Sequence, residues 1–189
     1  MHLSRAQILF AVLAVCAPSV SILAQPTIGE KYQINLVDVD GNTLSTADGR
    51  VTTVVLINQS NIDKARGVGD RTPDFCLGNP RYRMITVLAF EKNHSKPVRM
   101  LLNSLMRRRL DSEARRLQSR YDQLKIARNA RQDVSAVADF DGTISTQLGA
   151  QAASDLFRVF VFGRNGQLLK QWDDVPKAEE LATALRISH

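Results

Sequence analysis

The sequence predicts an α/β fold in which a mixed β-sheet is covered by helices. Three observations support this prediction: apolar, β-branched runs of strand length recur along the chain, helical periodicity separates them, and a hairpin signal follows near the carboxyl end. The 189 residues are 44% hydrophobic and 23% charged, which excludes disordered and low-complexity classes. A chain of this size is expected to form one domain around one core.

The N-terminus has the layout of a secretory signal peptide. A basic residue precedes an apolar run too short to span a bilayer, and small residues lead to a cleavage point after Ala24. We therefore predict a signal peptide over 1–24 and a single secreted or periplasmic domain over 25–189. The alternatives are a retained N-terminal anchor and a lipoprotein anchored at Cys16, whose lipobox-like context has Val15 where a smaller residue is usual.

The strand signals follow in order along this domain. An alternating segment at 32–40 ends in the Asp40-Gly41 turn and, with a short strand at 43–45, predicts an N-terminal hairpin. Continuous apolar runs then predict central strands that are covered on both faces. These runs lie at 51–58, 83–90, 134–139 and 158–162.

The C-terminal segment predicts a second hairpin and a closing helix. Asn165-Gly166 is a dipeptide that favours a two-residue turn, so the strand at 167–172 should pair antiparallel with its predecessor. Pro176 suits the start of a final helix over 177–187.

The longest helical signal, at 95–128, also carries the positive charge of the chain. Residues 96–131 hold eleven basic and three acidic residues, a net +8, whereas the whole chain has +6. Apolar residues at intervals of mostly three or four predict one stripe that faces the core. The stripe consists of Val98, Leu101, Leu105, Leu110, Ala114, Leu117, Tyr121 and Leu124.

The basic helix admits three interpretations. A solvated face is the default, and the alternative is a site that binds an acidic protein or an anionic membrane surface. A secretory leader disfavours nucleic acid as the partner. The segment between the two strands that flank this helix is longer than one crossover helix needs, so we expect an added arm that protrudes from the fold. We expect the partner site on this arm. The candidate partner-binding residues are Arg107, Arg108, Arg109, Arg115 and Arg116.

The order of these predicted strands and helices, with their motifs, resembles the thioredoxin-like superfamily, especially secreted redoxins of the thiol-disulfide interchange (TlpA-like) type. The resemblance rests on the hairpin turn at Val39-Asp40-Gly41, on the central strand followed by a helix, and on the C-terminal segment 159–172. It implies a three-layer sandwich, with a mixed central sheet flanked by helices and extended by the basic helix.

The resemblance also implies a redox site, but the residues at the corresponding positions of this chain differ from the family's motif. Superposing the family's W-C-x-x-C segment on 54–66 without gaps puts its two cysteines at Ile62 and Ala65, with Asp63 and Lys64 between them. Disulfide exchange needs a low-pKa thiolate and a second, resolving sulfur. The family also places a cis-proline before its late central strand, where 154–157 has no proline. We predict a thioredoxin-like fold with a degenerate active site.

Cys76 is the only thiol of the predicted mature chain. The segment 72–76 loosely resembles the T-P-x-C motif of peroxiredoxins, with one residue more and at a position beyond the usual one. A buried structural thiol is the preferred interpretation, and a reactive, partner-bonded or peroxidatic thiol stays open. Nearby arginines would lower its pKa, and the candidates in the sequence are Arg71, Arg81 and Arg83.

No other pattern carries chemistry. His94 and His189 are far apart in the sequence and lack a cysteine cluster, so we predict no metal and no cofactor. The Asp-Gly pairs, including Asp141-Gly142, predict turns rather than calcium loops. Asn58 and Asn93 stand in glycan acceptor sequences that matter only in a eukaryotic secretory route.

The leading hypothesis is a redox-inactive, secreted or periplasmic thioredoxin-like domain that acts as a binding or accessory module. The competing hypothesis is an enzyme, either a single-cysteine thiol oxidoreductase or a peroxidase-like redoxin, that uses Cys76 with an external thiol. A third hypothesis is a membrane-associated anion-binding protein that acts through the basic helix.

Overall fold

A five-stranded mixed sheet forms the centre of the molecule in a computed structural model that describes residues 25–91, 94–150 and 155–187. The predicted signal peptide and Cys16 lie outside the described residues. In chain order the elements are β1 (Asn35–Val37), β2 (Thr43–Ser45), β3 (Val51–Ile57), α1 (Ile62–Asp70), β4 (Tyr82–Ala89), α2 (Lys96–Gln123), β5 (Val134–Asp139), α3 (Thr143–Gln147), β6 (Phe157–Phe162), β7 (Leu168–Trp172) and α4 (Ala178–Arg186). Short 3₁₀ turns lie at Gln59–Asn61, Asp74–Cys76 and Ala130–Gln132.

The sheet has the order β5-β4-β3-β6-β7, and the strand β3 at its centre is buried along its whole length. β3, β4 and β5 are parallel, whereas β6 and β7 run antiparallel to their neighbours. The predicted C-terminal hairpin is confirmed, with Gly166 at φ +79° in its turn. Only glycine adopts that conformation without strain, and an added Cβ would also meet the carbonyl oxygen of Tyr32 at 2.6 Å.

The N-terminal hairpin and α3 cover one face of the sheet, and α1 and α4 cover the other. Because side chains alternate along a strand, Val54 and Leu56 pack under the β1-β2 hairpin and α3. Val55 and Ile57 point to the other face and pack against α1 and α4. The predicted three-layer α/β architecture with a mixed central sheet is therefore confirmed.

The single core-facing stripe predicted for α2 is only half correct. Leu110, Ala114 and Tyr121 are buried, but Val98, Leu101, Leu105 and Leu124 are exposed. Leu105 and Leu110 are five residues apart, which is about 140° around a helix, so the apolar positions split between two faces. The helix also ends earlier than predicted, because Lys125 adopts a left-handed conformation with φ +56°.

Replacing Gly67 by alanine is expected to stabilise the protein. Gly67 lies inside α1, and its backbone is not in the left-handed region. A Cβ added there would contact a methyl group of Val175 at 3.6 Å, an ordinary van der Waals distance. Alanine is the better helix former by about 0.8–1 kcal/mol. Urea unfolding should therefore give Gly67→Ala a higher midpoint with an unchanged slope, and a lower midpoint would mean that α1 is not a regular helix here.

Candidate functional site

Strands β3 and β4 end at one edge of the sheet, the carboxyl edge, where α1 begins. Asn58 follows β3, and its side-chain oxygen accepts hydrogen bonds from Ser60 Oγ at 2.8 Å and from Asn61 Nδ2 at 3.2 Å. Asn61 also donates to the carbonyl of Leu156 at 3.1 Å, as the Asn58 backbone N–H does at 3.2 Å. These bonds tie the start of α1 to the segment before β6.

The four positions that the family resemblance assigns to the redox motif form the first turn of α1. Ile62 is the first residue of α1 and is half-buried, and Ala65 is buried against the sheet. Asp63 pairs with Arg66 at 3.0 Å. Lys64 pairs with Asp174 at 3.2 Å and lies 5.2 Å from the centre of the Phe157 ring. This turn is held by packing and ion pairs, and its residues include no thiol.

Cys76 lies in the 3₁₀ turn Asp74–Cys76, which follows the C-terminal end of α1. The carboxyl edge of the sheet is at the other end of this helix. The Cys76 side chain is 7% exposed and belongs to the core beneath α1 and α4. Burial raises the pKa of the Cys76 thiol to about 12. Arg71 donates to the carbonyls of Val175 and Pro176, and Arg83 is bonded to Asp48. These two arginines therefore bind other groups rather than the thiol.

This burial predicts a loss of stability in alkali. The unfolded thiol ionises near its free value of about 8.5, whereas the folded thiol stays protonated, so raising the pH favours unfolding. Stability is complete below about pH 8.5 and should fall by about 1.4 kcal/mol per pH unit above it. Urea unfolding between about pH 8 and pH 10 should show this slope, and Cys76→Ala should flatten it. An equal slope in both proteins would contradict the assignment.

Helix α2 lies alongside α1 and is held there by pairs of opposite charge. Arg66 donates to Glu113 at 2.6 Å, and Arg116 donates to Asp70 at 2.8 Å. Arg120 pairs with Asp74 one turn further on. Because both helices follow parallel strands of the same sheet, the partners of α2 occur in the same order along α1 and the 3₁₀ turn Asp74–Cys76 that follows it.

One exposed face of α2, the outer face, combines apolar and basic residues. Leu101 and Leu105 are 61% and 49% exposed, and Val98 is also open to solvent. At about 100° per residue, Arg108 and Arg115 continue the same face toward the C-terminal end of the helix, whereas Arg109 and Arg116 lie at its edge toward α1, where Arg116 donates to Asp70. Arg107 points elsewhere, since it donates to the carbonyl of Val39 at 2.6 Å. The sequence predicted these arginines as partner-binding candidates, which stays a prediction, and it assigned the exposed leucines to the core-facing stripe.

The acidic turns are structural. Asp38 accepts hydrogen bonds from Asp40 N at 3.0 Å and Asn42 N at 2.8 Å. The buried Asp139 accepts from both the N–H and the hydroxyl of Ser145, at 2.8 and 2.6 Å.

Within the described ranges, no group of three metal-ligating side chains comes together. No helix in the same part of the chain is long and apolar enough to cross a membrane.

Comparisons with known proteins identify the fold. No protein-family model matches the chain, and no curated protein is similar to it in sequence. Solved structures are similar in shape. The pneumococcal exposed lipoprotein thioredoxin of Streptococcus pneumoniae matches with a TM-score of 0.51 at 11% identity, over 82% of this chain and 99% of that one.

Two further structures give the same result. DsbF of Mycobacterium tuberculosis matches with a TM-score of 0.51 at 12% identity, over 86% of this chain and 100% of its own. A Chlorobium tepidum protein assigned as thiol:disulfide interchange protein DsbE matches with a TM-score of 0.52 at 10% identity, over 87% of this chain and 99% of its own. The chain therefore has the thioredoxin-like fold of these redoxins, as the family resemblance implied.

Proposed function

We propose that this protein is an exported thioredoxin-like domain without thiol-disulfide activity that binds an acidic protein through the outer face of α2. The observation that carries the proposal is the start of α1, where Ile62 and Ala65 provide no sulfur. Cys76, the thiol within the described residues, is buried with a raised pKa. Export is supported by the signal-peptide layout of 1–24 and by the exposed lipoprotein among its structural neighbours.

The outer face supports a binding role because its composition is unusual for a solvated helix. Val98, Leu101 and Leu105 expose aliphatic side chains along one side of the helix. They stand in line with Arg108 and Arg115, so an apolar strip continues into a basic one over roughly 26 Å of helix. Exposed apolar residues next to charge are typical of protein interaction surfaces.

An acidic protein fits this face better than a membrane. Helices that lie on membranes bury one apolar side and present basic residues around it. Here the other side of α2 packs on β5 and the core through Leu110 and Ala114, and the apolar and basic residues follow one another along the axis. An elongated partner with leucine-like anchors at one end and carboxylates at the other complements that arrangement.

Binding of a synthetic amphipathic helix tests the proposal. The probe carries leucines on one face followed by glutamates, and a scrambled peptide is its control. Fluorescence anisotropy should give micromolar binding that weakens as salt rises, because exposed charges are screened. The double variant Arg108→Glu/Arg115→Glu should weaken binding by about 100-fold, which corresponds to about 2.7 kcal/mol.

A charge-matched control separates this face from the general basicity of the chain. Arg50 and Arg164 are exposed on turns away from α2, and Arg50→Glu/Arg164→Glu changes the net charge by the same amount. This control should bind the probe like the wild type. Equal losses in both double variants, or tighter binding to anionic phospholipid vesicles than to the peptide, would overturn the proposal.

A further inference from the structure

A cavity of about 540 Å³ lies beneath α2, between α1 and the strands β4 and β5. This volume is within the range of small-molecule sites, which is about 300–1,000 Å³. The cavity forms because α2 buries only a few side chains along its length, among them Leu110, Ala114 and Tyr121. It is distinct from the outer face, which points away from the sheet.

The walls of the cavity are largely apolar. Apolar side chains from several elements line it, among them Ala65 of α1, Met84 and Leu88 of β4, Leu110 and Leu117 of α2, and Ala136 of β5. Water in such a space hydrates apolar surface, and an apolar occupant would release that water. The walls therefore favour an apolar chain or ring.

The rim of the cavity is basic. Five arginines line the cavity against three carboxylates, and these are Arg66, Arg83, Arg109, Arg116 and Arg120 against Asp70, Glu113 and Asp133. Arg66 pairs with Glu113 and Arg116 with Asp70, but Arg109 forms no hydrogen bond or ion pair within the described parts of the chain. Arginine binds carboxylate and phosphate groups through its planar fork of donors. The rim therefore favours an anionic head group.

We propose that this cavity binds a small amphiphile with one apolar chain and one anionic head, with the chain between α2 and β4 and the head at Arg109. The shared chemistry covers a fatty carboxylate and a phosphate-headed lipid. The proposal is independent of the partner proposed for the outer face, because Arg108 and Arg115 do not line the cavity.

Calorimetric titration with dodecanoate tests this directly. Dodecanoate should bind once per chain with micromolar affinity, whereas dodecanol, with the same chain and no charge, should bind at least about tenfold more weakly, which corresponds to about 1.4 kcal/mol. Acetate should give no binding. Dodecyl phosphate distinguishes the two head groups, since tighter binding of it would indicate a phosphate-headed ligand and weaker binding a carboxylate.

Two pairs of variants locate the site. Gly69 faces the cavity, and its added Cβ would meet only the end of Met84 at 4.0 Å, so Gly69→Leu should fill the space and abolish binding. Gly67→Ala, on the same helix but outside the cavity, is its control. Arg109→Gln should weaken dodecanoate binding about tenfold and leave dodecanol unchanged, whereas Arg108→Gln should change neither.

These outcomes can overturn the proposal. No binding of dodecanoate to the wild type, equal binding of dodecanol, or wild-type binding by a folded Gly69→Leu would each do so. If Gly69→Leu does not fold, the two arginine variants still decide, because equal losses in Arg108→Gln and Arg109→Gln would exclude a head-group site at Arg109.

Discussion

Ile62→Cys/Ala65→Cys is expected to give the protein a reactive thiol at the start of α1. Residue 62 is the first residue of α1 and half-buried, so a thiolate there would lie at the positive end of the helix dipole. Thiols at helix N-termini ionise below their free pKa of about 8.5. In a Cys76→Ala background, the cysteine at 62 should therefore be alkylated in the folded state with an apparent pKa below about 8.5.

The second cysteine of this variant serves as the resolving thiol. Mild oxidation should join the cysteines at 62 and 65 and remove two free thiols per chain, whereas Ile62→Ser/Ala65→Ser should lose none. A cysteine at 62 with a pKa at or above the free value, and no disulfide on oxidation, would show that these positions do not correspond to the family's redox motif.

Tyr121→Ala is expected to cost about 3–5 kcal/mol of unfolding free energy, the range for removing a buried aromatic ring. Tyr121 is 1% exposed and is the largest fully buried side chain of α2. Its hydroxyl accepts from the Gly78 N–H at 2.9 Å and donates to Asp133 at 2.9 Å. It thereby joins α2 to the loop after Cys76 and to the start of β5.

Tyr121→Phe separates the hydroxyl from the ring. Loss of the hydroxyl leaves the Gly78 N–H without its partner, so this variant should lose about 1–3 kcal/mol. Asp133 keeps its hydrogen bond from Arg128 at 2.8 Å, so losing the Tyr121 hydroxyl costs little free energy at Asp133. Urea unfolding measures both variants, and a loss below about 0.5 kcal/mol in Tyr121→Ala would mean that α2 does not pack as described.

The strands were predictable because local patterns determine them. The continuous apolar run of β3 predicts burial on both faces, and Asn165-Gly166 predicts the last hairpin. Alternation of these strands with helices then limits the topology to a few arrangements. The structure moves the predicted strand boundaries by only a residue or two, except that β1 is shorter than its segment.

The candidate site was less predictable because it depends on contacts between distant residues. Sequence showed that the positions of Ile62 and Ala65 lack sulfur, but it could not show that Cys76 is buried beneath α1 and α4. It also could not show that Arg66 pairs with Glu113, which lies 47 residues further along the chain. The five-residue step from Leu105 to Leu110 was the one local signal for the exposed leucines.

Alkylation of Cys76 across pH, in the folded and the urea-unfolded mature protein, tests the central claim most directly. The claim predicts that the folded thiol is protected at every pH at which the protein stays folded, and that it reacts with the apparent pKa of a free cysteine once unfolded. Rapid labelling of the folded protein, with an apparent pKa below about 8.5, would contradict the claim and support a single-cysteine oxidoreductase.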